Sequence, residues 1–203
     1  TLAVDGTVAL ATNGNGAATV VNDAGLNFAA STVGGNLAAT ATTGNIVDSG
    51  VLTVAGTSSF TTSANNADIT LNNTNAFTGA VALSTTGSTG HATIDNGTTA
   101  LNIAASSVGG NLNLTSGNSI TDSGTVTVGG YLRATTDANN GAINLNQLAV
   151  GSSYGTIYLT TNGSGNATVV NDRSLELRNA SVGGNLAATA TTGNISDIGT
   201  LTV

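Results

Sequence analysis

VGGNLAATATTGNI, Val33–Ile46, returns without change as Val182–Ile195, 149 residues further on. Between them stands a diverged copy, SVGGNLNLTSGNSITDSG, Ser107–Gly124. A second thread keeps the same spacing: TNGNGAATVVND from Thr12 returns as TNGSGNATVVND from Thr161, again 149 residues on. The midpoint copy halves that spacing to a period of about 75 residues, and self-similarity at a fixed period marks a stacked array rather than a compact globule.

The composition fits a chain given over to backbone ladders. Of 203 residues only 6% are charged, the cations are all arginine, and Pro, Cys, Met and Trp are absent. A 39% hydrophobic fraction with regular Val, Leu and Ile spacing argues against disorder. Missing prolines suit a backbone in which nearly every N–H serves a ladder. Missing cysteines exclude a disulfide scaffold or a thiolate metal site. The net charge of −7 and pI near 4.1, with only Arg133, Arg173 and Arg178 as cations, exclude a nucleic-acid partner. No apolar run approaches the roughly 18 residues of a transmembrane helix, so no membrane insertion is expected. The chain starts and stops inside repeat units without polar caps. It therefore reads as a single segment of a longer array: a partial repeat over 1–30, repeats over 31–105 and 106–179, and a partial repeat over 180–203.

The period divides further. A glycine followed by alternating apolar positions recurs at Gly6, Gly35, Gly56, Gly79, Gly110, Gly130, Gly155 and Gly184, with gaps of 29, 21, 23, 31, 20, 25 and 29 residues. The second and fourth residues after each glycine are mostly apolar, as in Leu37 and Ala39 or Leu132 and Ala134. That is the period of two expected of a strand with one buried face. No segment has a 3.6-residue apolar period, so no helix is expected. Short strands with inward aliphatics and Gly/Asn corners predict an all-β fold, a right-handed parallel β-helix. The glycines count about eight coils, three per 75-residue super-repeat. Ser58 and Phe60 should point inward, as should their counterparts Leu132 and Ala134, small-then-large becoming large-then-small at similar core volume.

Residues able to carry chemistry are sparse. Asp48, Asp122 and Asp197 recur in one slot (IVDSG, ITDSG, ISDIG). Three coils would separate neighbours by about 14 Å at the strand spacing, too far for a carboxylate pair at about 5–9.5 Å. Asp23, Asp95 and Asp172 fall near strand ends and read as turn residues. His91 has counterparts Ala17 and Asn166, which points to surface decoration rather than a ligand or base. The sequons at Asn72, Asn96, Asn113, Asn162, Asn166 and Asn194 arise readily by chance in a chain this rich in Asn, Ser and Thr. No catalytic residue, cofactor or metal is expected, and the chain is not read as an enzyme.

The most regular outward column is a candidate hydroxyl ladder, the fifth residue after each glycine: Thr40, Thr61, Ser84, Thr115, Thr135, Thr160 and Thr189. A flat Thr array can bind ice, but the adjoining columns are irregular, and Thr also suits any exposed β position. Tyr154 and Tyr158 lie close together in sequence and could stack on a sugar.

The pattern SVGGNL…ATATTGNI…DSGxLTVxGTxxFT…ANxADITLNN…F-TGAVxL resembles the β-strand repeats of large bacterial exoproteins of the filamentous haemagglutinin type. The resemblance covers essentially the whole chain. It implies a right-handed β-helix, placement outside the cell or on the bacterial surface, and a role in attachment or biofilm. The expected function is a structural and adhesive rod of a secreted surface protein or extracellular filament. Its expected partners are further copies of the same repeat, in the same chain or by end-to-end or lateral assembly, and host or cell-surface glycans. The alternative is an ice- or glycan-binding β-helix module.

Overall fold

Strands of two to eight residues with every second side chain apolar cannot make a broad sheet alone; they bury that face only by coiling over one another. The computed structural model describes residues 1–151 and 154–203, and these form 24 short strands with no helix. The pairing is parallel, each strand hydrogen-bonded to strands one turn away, and the strands line three walls of ten, eleven and three strands. The fold is a β-solenoid, as the sequence predicts. On the ten-stranded wall the register climbs Leu26, Ile46, Ile69, Ala92, Leu112, Leu132, Ile157, Leu177 and Asp197, one residue per turn. Ten strands mark about nine turns, rather than the eight counted from glycines, and a rod about 43 Å tall.

The super-repeat does not hold three turns. Leu37, Ser58 and Val81 follow one another on the eleven-stranded wall. Their counterparts Leu112, Leu132 and Ile157 follow one another on the ten-stranded wall. Leu186, two super-repeats on from Leu37, returns to the eleven-stranded wall beside Ala167. Seven turns therefore fill two periods, and each period takes three and a half. The long glycine gaps explain the miscount. From Val81 the ladder reaches Ile103 after one full turn, and Leu112 lies half a turn beyond it on the other wall. Gaps of 29 to 31 residues are thus one and a half turns. From Ile46 to Asp197 seven turns take 151 residues against a sequence repeat of 149. The difference is even, so each side chain keeps its face of the wall.

The core is one continuous hydrophobic column, with Ser58 2% exposed and Phe60, Leu132 and Ala134 fully buried, the inward pairs that the sequence predicts. Corners are held by a repeated device. Thr12, Thr85 and Thr161 donate to the carbonyls of Gly16, Gly90 and Gly165 at 2.7–2.8 Å. The same hydroxyls accept the N–H of Gly34, Gly109 and Gly183 on the next turn. Those glycines are required by close approach: a Cβ on Gly34 or Gly183 would lie 1.7 Å from a carbonyl oxygen of the turn beneath.

A second device lies inside the rod. Asn22, Asn96 and Asn171 occupy one slot and are at most 1% exposed. Each side-chain amide pairs with both the N–H and the C=O of one residue on a neighbouring turn: Val4, Phe77 and Val150. The amide supplies the two bonds a strand would have made, where none is present to make them.

Candidate functional site

The seven hydroxyls predicted as one ladder fall on two walls. Thr40, Thr61 and Ser84 stack on the eleven-stranded wall and continue into Ser107 and Thr127. Thr115, Thr135 and Thr160 stack on the ten-stranded wall and continue into Ser181 and Thr202. Thr189 stands apart beside Val170. Each ladder is five rungs, and the two are half-turn copies of one another. Beside the first run Ala38, Ser59 and Ala82, so a single hydroxyl row lies next to small, mostly apolar residues.

The acidic slots hold loops. Asp48 takes the backbone N–H groups of Asn72 and Asn73 at 3.1 and 3.3 Å, and Asp122 takes those of Asn146 and Gln147 at 3.1 and 2.8 Å. Asp48 lies on the ten-stranded wall and Asp122 on the eleven-stranded wall, three and a half turns apart rather than three. Among the described residues no three His, Asp or Glu side chains group as metal ligands.

His91 is not decoration. Its Nδ1 accepts the N–H of Asn111 at 2.8 Å, and its own N–H donates to Asp68 Oδ1 at 2.7 Å. It sits in a column of side-chain acceptors, Asn45, Asp68, His91 and Asn111, each binding the backbone N–H one turn on. Asn166, its counterpart, makes the same bond to Asn185 at 2.7 Å. The sequence signal was present, because His and Asn share a short acceptor at a similar reach.

One outward column breaks the repeat. On the ten-stranded wall Arg133 is paired in register with Tyr158, and the next rung carries Arg178. The Arg133 guanidinium lies 4.2 Å from the Tyr158 ring centroid. Tyr131 meets Tyr158 edge-on, with centroids 5.3 Å apart and planes at 71°. Arg178 stands beside the Tyr158 side chain; interaction with the Tyr158 hydroxyl first, and with the Glu176 carboxylate after it, holds its guanidinium above the ordinary arginine pKa. Its Nε is 3.6 Å from Glu176 Oε1, a carboxylate buried to 4% exposure that also accepts from the Thr156 hydroxyl at 3.1 Å. In the other copies these slots hold Ser59 for Arg133, Ala9 and Ala82 for Tyr158, and Ala29 and Ala104 for Arg178. Tyr154, at the corner just before this strand, is 64% exposed, and the ring beside Tyr158 belongs to Tyr131 of the preceding turn instead. Two of the three cations and two of the three tyrosines thus meet on one wall. The sequence carries this site only as irregularity in a column.

The family described as "Repeats of unknown function (DUF5649)" matches residues 14–84, 89–150 and 164–203. The three matches begin 75 residues apart. The strands that follow those starts, Ala18–Asn22, Ala92–Asp95 and Ala167–Asn171, lie on the eleven-, ten- and eleven-stranded walls in turn. Neither a curated protein nor a solved structure matches the chain.

Proposed function

The chain belongs to this repeat family, and from that premise we propose that it is a structural and adhesive rod. It would form part of a secreted bacterial surface protein or extracellular filament of the filamentous haemagglutinin type, serving attachment or matrix formation. The observation that carries the reading is the unbroken ladder of ten strands from Thr7–Val8 to Ile195–Ile198. Each turn contacts only its neighbours, so added periods lengthen the rod with no new kind of contact. The polar side chains that recur with the period bind backbone of the adjacent turn, as Asp48, Thr85 and Asn96 do. A chain without cysteine can also cross a membrane unfolded without forming disulfides on the way. The proposed partners are further copies of the repeat and, outside the rod, glycans. Ice binding is the weaker reading, because each wall offers a single regular hydroxyl row.

The test uses cells that make the full-length protein. Immunogold imaging should find extended fibres outside the cell, and cells lacking the protein should attach to surfaces several-fold less. A compact particle inside the cell would overturn the placement, and unchanged attachment would overturn the adhesive role.

A further inference from the structure

We infer that the outward column Arg133–Tyr158–Arg178, with Tyr131 at its side, is a binding site for a carboxylate-bearing saccharide of the uronic-acid type. Charge is the first argument. The chain carries −7 overall, yet this patch sums to +1: Arg133 and Arg178 against Glu176. Among the described residues Arg133 has no carboxylate partner; it rests on the Tyr158 ring and is exposed. Its planar fork is free to take a carboxylate through two parallel N–H···O bonds. Arg178 acts differently. Paired with Glu176, it leaves the anion to Arg133.

Shape is the second argument. A β-wall is flat, and the Tyr131 and Tyr158 rings are half-buried on its outer side. Aromatic side chains with an apolar body and a polar tip suit a sugar, whose C–H face packs on a ring while its hydroxyls stay wet. Arg133 and Arg178 stand two rungs apart, about 9.6 Å along the rod, so an extended chain lying along the axis passes both. A nucleic acid would need far more cations than three. The other copies of the Tyr131, Arg133 and Tyr158 slots hold only Thr, Ser and Ala, so the solenoid itself does not call for Arg133 or for either tyrosine here.

The repeat supplies its own control substitutions. Arg133→Ser and Tyr158→Ala install the residues that Ser59 and Ala82 already place in equivalent slots. Both variants should keep the wild-type β circular dichroism and melting temperature. In an NMR titration at low salt, trigalacturonate should shift the amides around Tyr131, Arg133 and Tyr158 saturably. Arg133→Ser should weaken that binding at least tenfold and Tyr158→Ala several-fold, whereas Arg173→Ala, at an exposed arginine paired with Asp172, should leave it unchanged. Neutral galactotriose should bind at least tenfold more weakly. The proposal is overturned by an absent or non-saturable shift, by wild-type affinity in Arg133→Ser, or by triglutamate binding as tightly as trigalacturonate. Equal loss in Arg173→Ala would also overturn it, as bulk charge alone.

Discussion

The early turns put their aromatic residues inside the rod, and the later turns put theirs outside. Phe28, Phe60 and Phe77 are fully buried and meet edge-to-face, at 6.4 Å for Phe28–Phe60 and 5.6 Å for Phe60–Phe77. In the equivalent slots stand Ile103 and Leu177 for Phe28, Ala134 for Phe60, and Val4 and Val150 for Phe77. Tyr131, Tyr154 and Tyr158 lie on the outer side, where the other copies hold Thr57, Thr78 and Ala82. One backbone turn thus accepts a large ring on either side of its wall, with different consequences. Inside, the neighbour must shrink, as Ser58 does beside Phe60. Outside, no neighbour need change, and the ring alters only what the surface can bind.

The largest effect should come from the inner ring. Phe60→Ala should cost about 3–5 kcal/mol, read as a shift in the guanidinium unfolding midpoint. A cost below about 1 kcal/mol would break the comparison, since it is the usual scale of a surface change. Adding Ser58→Leu to Phe60→Ala copies the Leu132/Ala134 arrangement and should bring stability back to within about 1.5 kcal/mol of wild type. Next comes the buried clamp. Asn96→Ala leaves the N–H and C=O of Phe77 unpaired and should cost about 2 kcal/mol. Hydrogen exchange at the Phe77 amide should accelerate with it. His91→Ala, which removes an acceptor only partly buried, should cost about 1 kcal/mol. His91→Asn should keep most of that, because Asn166 makes the same bond; equal loss in both variants would make the ring itself necessary. Smallest of all, Arg133→Ser should change stability by no more than about 0.5 kcal/mol.

The coiled, all-β architecture is legible in the sequence because a period of two within a period of 75 admits few folds. The inward pairs Ser58/Phe60 and Leu132/Ala134 follow from the same alternation. The half turn is not legible. Leu37 and Leu112 sit in identical VGGNL contexts, and nothing local tells which wall a copy will join. That depends on how many residues close a turn, a sum over every corner from 37 to 112. The strands Leu26–Phe28, Leu101–Ile103 and Leu175–Arg178 lack the glycine two residues ahead that marks a coil, so a count of glycines leaves out the half turn that each one adds. The Asn clamp is missed for another reason. Asn22 is one more polar residue at a strand end, beside Asp23, and only closure of the rod places it inside. The arginine–tyrosine column is visible as sequence irregularity, but its members meet only once Arg133, Tyr158 and Arg178 stand on successive rungs.

The central claim is that three and a half turns fill each period. The absence of cysteine lets it be tested by paired substitution, without a native thiol to interfere. The ladder sets Ser107 beside Ser84, and Thr115 beside Asp95 on the other wall. Three turns per period would instead set Thr115 beside Ser84. Strand neighbours stand about 4.8 Å apart, within the Cα separations a disulfide spans. Under mild oxidation Ser84→Cys with Ser107→Cys should form an intramolecular disulfide in high yield, and Ser84→Cys with Thr115→Cys should form none. A disulfide in the second pair and not in the first would contradict the account.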